Sequence, residues 1–145
     1  MAERVFADTN LFLRYLTNDV PAQADAVEAL LDRAAAGELR LETSALVIAE
    51  IVWALEGFYG LDRAAVRDKV LAIVNTPGIH VEDDHLVIQA CAWYVDARVD
   101  YADAWNAAWL QDRALTAAYT FDRRHFRRLG GVAVRVPGED EPSTT

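Results

Sequence analysis

The sequence predicts an α/β domain built on a parallel sheet with helices on both faces. Short apolar runs such as Val5-Phe6-Ala7 and Ala118-Tyr119-Thr120-Phe121 alternate with longer stretches of helical periodicity. The chain has 145 residues, the size of one ordinary domain, and just over half of them are apolar. No internal repeat or linker interrupts it before the last residues, so one domain is expected over 1–136 and an acidic, disordered tail over 137–145.

Each element has a local reason. Val5-Phe6-Ala7 reads as a short buried strand ending at Asp8, followed by a helical stretch from Leu11 to Leu16. Pro21 suits a first helical turn. Val27, Leu30, Leu31 and Ala34 then repeat at i, i+3, i+4 and i+7, and Gly37 is a natural stop. Leu39 to Glu42 is a short strand. Ser44 can cap a helix running towards Glu56. Asp62 can cap the next, which carries Val66, Val70 and Val74 and ends before Pro77. Ile79-His80-Val81 is a third strand. Asp83 or Asp84 opens a helix with Val87, Ala90, Cys91 and Tyr94 on one face, and Asp103 opens another through Asp112. Ala118 to Phe121 is a strand ending at Asp122. A basic helical turn, Gly130-Gly131 and a last strand Val132–Val136 complete the order.

Composition excludes several classes. A lone cysteine, Cys91, forms no internal disulfide and rules out a cysteine-based structural zinc site. The first residues lack a basic stretch followed by a long apolar run, and no segment is long and apolar enough to span a bilayer. No membrane association is expected, and a cytoplasmic location is. The net charge of −9 is unusual for a chain that handles nucleic acid. Three of the acids, Glu139, Asp140 and Glu141, fall in the tail. Others, on the reading below, surround metal ions that reverse the local field. An acidic chain also suits a basic protein partner.

Four carboxylates carry the chemistry. In a parallel α/β sheet the ligand site lies beyond the carboxyl ends of the strands. Asp8 and Asp122 each follow a strand and precede a helix, which places both at that edge. Each could instead be only a helix cap. Glu50 lies in Ala45-Leu46-Val47-Ile48-Ala49-Glu50-Ile51-Val52-Trp53-Ala54-Leu55, a helix apolar all round and hence expected to be buried. A buried carboxylate is paired or binds metal, so Glu50 is expected to do one or the other. Asp100 and Asp103 both lie near a helix start, where the macrodipole favours acids, and spacing does not choose between them. Carboxylates gathered in one crevice repel one another, and a hard divalent cation such as Mg²⁺ or Mn²⁺ relieves that repulsion. Such ions activate water and stabilise the departing oxygen in phosphodiester hydrolysis.

These residues give the chain a family resemblance. Asp8-Thr9-Asn10, Ser44 to Trp53, Asp100-Tyr101-Ala102-Asp103-Ala104 and Thr120-Phe121-Asp122, in this order and at this length, resemble the PIN-domain nucleases. Within them the chain looks like the VapC-type toxins of bacterial toxin–antitoxin pairs. The resemblance spans Phe6 to about Val136. It implies a sheet of four or five parallel strands, a Mg²⁺- or Mn²⁺-dependent endoribonuclease, a homodimer and an antitoxin that blocks the site. It assigns Asp8, Glu50, Asp103 and Asp122 as catalytic metal ligands, choosing Asp103 over Asp100. Asn10 and Thr120, inside two of the motifs, are expected at the substrate together with Arg123 and Arg124. Many relatives carry a further acid after the last aspartate, whereas this chain has Arg123-Arg124-His125, which puts a second metal ion in doubt.

The basic stretch Arg123, Arg124, Arg127 and Arg128 can meet RNA phosphates beside Asp122, or it can be a solvated helix face. His80, His85 and His125 show no metal-ligand spacing, and the four tryptophans are expected in the core. Two other functions remain open. One is a phosphatase or phosphotransfer domain with Asp8 as nucleophile. It would want a lysine near a late strand end and an acid two residues after the nucleophile. The lone lysine is Lys69, inside a helix, and the second position is Asn10. The other is an inactive PIN-like module that only binds a partner.

Overall fold

In a computed structural model the described residues are 2–129 and 131–139, with backbone alone for His125 and Arg127. The tail expected over 137–145 lies outside the described residues from 140 on, as do the readings of the His125 and Arg127 side chains. The order of elements is β1 (Glu3–Phe6), α1 (Thr9–Thr17), α2 (Pro21–Ala35), β2 (Leu39–Thr43), α3 (Ala45–Gly57), α4 (Arg63–Val74), β3 (Ile79–Val81), α5 (Asp84–Asp96), α6 (Tyr101–Asp112), β4 (Ala117–Tyr119), α7 (Arg124–Arg127) and β5 (Ala133–Arg135). The strands pair in parallel throughout. The α/β alternation read from the sequence is therefore the observed one. The strands divide into a sheet ordered β1-β2-β3 and a second sheet of β4 and β5, in place of one sheet of four or five. Sequence pattern gives strands but not their partners, because pairing joins residues far apart in the chain.

The backbone contacts fall into two compact units, Met1–Val87 and from Ile88 onward, with the division inside α5. In the first unit, β2 alternates buried Leu39, Leu41 and Thr43 with outward Arg40 and Glu42. The buried side packs under helices, with α2 against β2 and α4 against β3. In register across the opposite face lie Phe6, Glu42 and His80. There Arg4 pairs with Glu42. The first strand is exposed along its length, not buried, since it is an edge of this sheet and pairs only with β2 within it. Its apolar sequence made it look central.

Fully buried Ile48, Ile51, Val52 and Leu55 of α3 and Val66 and Val70 of α4 form the core of this unit. Removing about 25 cal/mol per Å² of apolar surface from water is the main favourable contribution. The caps are as the sequence requires: Ser44 Oγ accepts from Val47 N at 3.2 Å, and Asp62 Oδ1 accepts from Ala65 N at 2.8 Å. Gly78 has φ +87°, and a Cβ there would lie 2.5 Å from the Ala34 carbonyl carbon, so only glycine lets β3 approach α2 this closely.

In the second unit Ala90, Cys91 and Tyr94 of α5 are buried, as the helical spacing predicts. α6 begins at Tyr101 with Asp100 as its N-cap residue, so Asp103 sits in the first turn and does not open the helix. β4 ends at Tyr119 and not at Phe121, although Thr120 N still donates to Arg135 O at 2.9 Å. Among the described residues no helix is long and apolar enough to cross a membrane.

Candidate active site

Asp8 stands where β1 hands over to α1, in extended conformation (φ −89°, ψ 166°). Ala7 just before it is buried and held on both sides: Ala7 N donates to Glu42 O, and Thr43 Oγ1 donates to Ala7 O, each at 2.8 Å. The Asp8 carboxylate accepts from Thr9 N at 2.7 Å through Oδ1. The buried Thr9 then donates its hydroxyl to Glu50 Oε2 at 3.2 Å. One residue thus bridges Asp8 and Glu50, 42 positions apart in the chain. Among the described residues no side chain donates to Asp8 Oδ2 or Glu50 Oε1, which leaves one oxygen of each carboxylate for an incoming group.

Glu50 itself is exposed, against expectation. α3 buries Val47, Ile48, Ile51, Val52 and Leu55, while Leu46 is 63% and Trp53 49% exposed on the side that carries Glu50. A helix apolar all round was read as buried all round, but α3 packs by one face. Burial therefore gives Glu50 no reason to bind a cation; what the fold gives it is a tether to Thr9. Nor are the tryptophans core residues: Trp53 and Trp109 are exposed and Trp93 and Trp105 half-buried. The Arg113 guanidinium lies 4.1 Å from the centre of the Trp109 ring.

In the second unit Asp103 is half-buried in the first turn of α6. Asp122 follows β4, and its Oδ1 accepts from Arg124 N at 3.0 Å and from Arg124 Nε at 3.4 Å. Thr120 Oγ1 accepts from Asp122 N at 3.1 Å, so Thr120 shapes the turn that presents Asp122. Arg123 is engaged by Glu139, Nη2 to Oε2 at 2.7 Å. Asn10 is exposed on α1, with no described contact to a site group.

The oxygen donors suit a hard divalent cation better than a thiophilic or imidazole-bound one. Among the described residues, no three His, Cys, Asp or Glu side chains form a group that could hold a metal ion. Asp8 and Glu50 are the two that share a corner. Sequence reasoning passed over Thr9 as a positioning residue, although it lies in the Asp8-Thr9-Asn10 motif. Lys69 is unsuited to hold a phosphate, because its Nζ donates to Leu16 O at 3.1 Å near the end of α1.

The PIN domain family profile matches residues 5–132, most of the chain. The chain belongs to the PIN-domain family. Members are generally nucleases, commonly use divalent metal ions, and often serve in toxin–antitoxin pairs. A comparison with characterised proteins gives no match.

Proposed function

We propose that this PIN domain is a Mg²⁺- or Mn²⁺-dependent endoribonuclease and the toxin of a toxin–antitoxin pair. The observation that carries the reading is the Thr9 bridge, which aims two carboxylates while leaving an oxygen of each without a protein donor. Asp8 and Glu50 would hold the cation, with Asp103 and Asp122 as the further ligands that the resemblance assigns. When bound, the metal supplies an activated water and charge stabilisation for phosphodiester hydrolysis. The chain's own contribution is orientation. Thr9 orients the Asp8 and Glu50 carboxylates with uncharged donors. Thr120 and Arg124 hold the turn at Asp122, and Asn10, Arg123 and Arg124 are the proposed contacts to RNA.

Purified protein is expected to cut RNA with Mg²⁺ or Mn²⁺ and to stop with chelator. Asp8→Asn should abolish cutting while the circular dichroism spectrum and melting stay native. Cleavage that persists in full in chelator overturns the metal-dependent reading. For the biological role, expression alone should arrest growth, and co-expression of the neighbouring gene product should restore it. The antitoxin would place a basic side chain among the carboxylates, meeting the same charge demand as the metal, and the toxin would act as a homodimer in the cytoplasm. Growth unaffected by a cleaving enzyme contradicts the toxin role. A binding module without catalysis is the second reading, favoured by the absence of a three-ligand group among the described residues. Chelator-sensitive cleavage decides between them.

A further inference from the structure

The chain is acidic overall, with 23 acidic side chains against 14 basic ones. Three arginines nevertheless surround one cavity of about 320 Å³ in the second unit: Arg98 before α6, Arg124 in α7 and Arg128 just after it. Among the described residues Val99 and Asp100 also line it, so three arginines and one aspartate share the opening.

Two of these arginines are outside the ion pairs of the described residues, and the third is paired through one nitrogen. Among the described residues no carboxylate pairs with Arg98 or Arg128; Arg128 Nη1 instead donates to the Arg98 carbonyl at 3.2 Å. That bond ties the two together across 30 positions of sequence. The Arg124 guanidinium touches Asp122 through Nε, at 3.4 Å, and the side chain is 85% exposed. Its terminal nitrogens are available. Asp100, the one acid among the described lining residues, makes no side-chain bond to the helix it precedes. Arg98 holds φ +56°, a conformation a non-glycine residue seldom adopts. Gathering like charges is unfavourable without a counter-charge, and a bound anion provides one.

We infer that this cavity is a phosphate subsite, which seats a backbone phosphate of single-stranded RNA through Arg98, Arg124 and Arg128. The inference rests on the nuclease reading and extends it. A planar guanidinium fork matches the two non-bridging oxygens of a diester, and further arginines around the same opening add to the local positive charge. Arg124 links the subsite to the proposed centre, since its backbone N–H and its Nε both reach Asp122 Oδ1. A phosphate held by Arg124 therefore lies beside the turn that carries Asp122. Arg98 is far from the basic stretch in sequence, and no motif announces it.

The test is binding of a fluorescent single-stranded RNA oligonucleotide to the full chain in chelator, across a salt series. Cutting then plays no part in the reading. Arg98→Ala and Arg128→Ala should each lower the slope of log affinity against log salt by about 0.7, the value for one phosphate contact to a single strand. Together they should weaken binding on the order of tenfold at 0.1 M salt. Arg128→Lys should recover part of the loss. Arg33→Ala, which removes an exposed partner of Glu38 in the first unit, should change nothing. Native melting curves exclude misfolding, and Arg98→Gln repeats the test with a polar side chain. Unchanged slopes in well-folded Arg98 and Arg128 variants overturn the subsite, even if the protein cuts RNA. Loss of binding in both variants without any cleavage by the wild type keeps the subsite and sinks the nuclease reading instead. An acidic peptide of equal charge that displaces RNA equally well also overturns it, because the cavity would then bind acids without regard to phosphate.

Discussion

Asp8 and Asp122 each follow a strand and precede a helix, yet their carboxylates are held in different ways. Asp8 accepts from an uncharged backbone donor, and the neighbouring hydroxyl of Thr9 ties Glu50 into the same corner. Asp122 accepts from the backbone and also from the guanidinium of Arg124. Neutral donors orient a carboxylate without cancelling its charge; a guanidinium orients it and competes with any cation for it. The first corner thus presents carboxylates that no protein cation pairs with among the described residues, whereas the second mixes acid with base. Two sites that read alike in strand and helix order differ because Thr9, next to Asp8, offers an amide and a hydroxyl, whereas Arg124, two residues after Asp122, offers a guanidinium.

The largest expected effect comes from removing the neutral donor. Thr9→Val keeps the shape of the side chain but deletes the hydroxyl. By analogy with groups that orient metal ligands, apparent Mg²⁺ affinity should fall about 10- to 100-fold. Cleavage at saturating metal should fall less, and Thr9→Ser should restore most of the loss. A metal titration of RNA cleavage reads both quantities. If Thr9→Val titrates like the wild type, the contrast between the two corners has no functional content.

The second region also contains a polar group that no contact satisfies. Tyr101, beside Asp100 at the start of α6, is buried, and its hydroxyl has no hydrogen-bond partner among the described residues. Its ring packs edge-on against Tyr94 with centroids 6.1 Å apart. Burial, and then the Cys91 thiol, push its pKa above the ordinary tyrosine value. The phenolate is therefore harder to form in the folded chain than in the unfolded one. Stability from this group is complete below about pH 10, the ordinary value, and declines as pH rises above it, where the unfolded state loses the proton first. Tyr101→Phe should abolish that alkaline decline. It should also raise neutral stability on the order of 1 kcal/mol, since a buried unbonded hydroxyl is unfavourable. Chemical denaturation at pH 7 and pH 10.5 measures both, and a less stable Tyr101→Phe would mean that the hydroxyl is bonded after all.

The smallest effect concerns Glu139, which pairs with Arg123 at 2.7 Å. Both side chains are well exposed, so the pair contributes less than about 1 kcal/mol to stability. Glu139→Gln should leave the melting curve almost unchanged. It should tighten RNA binding by no more than about fivefold at low salt, with the gain disappearing at high salt. Weaker RNA binding by Glu139→Gln would show that Arg123 serves the fold and not the substrate.

Local physics determined much of this molecule from its sequence. Caps at Ser44 and Asp62, the stop at Gly37 and the spacing of Val87, Ala90, Cys91 and Tyr94 depend on neighbours within a turn or two. Each is found as expected. The order of residues also placed Asp8 after a strand and Glu50 on a helix, and carried the likeness to PIN domains. Tertiary structure decided what depends on distant residues. It divided the strands between two sheets, left β1 at an exposed edge and turned Glu50 to the open side of α3. It gave Thr9 its bond to Glu50 and gathered Arg98 with Arg124 and Arg128. Periodicity reports which residues share a face of their own element, but not what that face meets, because packing partners are supplied by other parts of the chain.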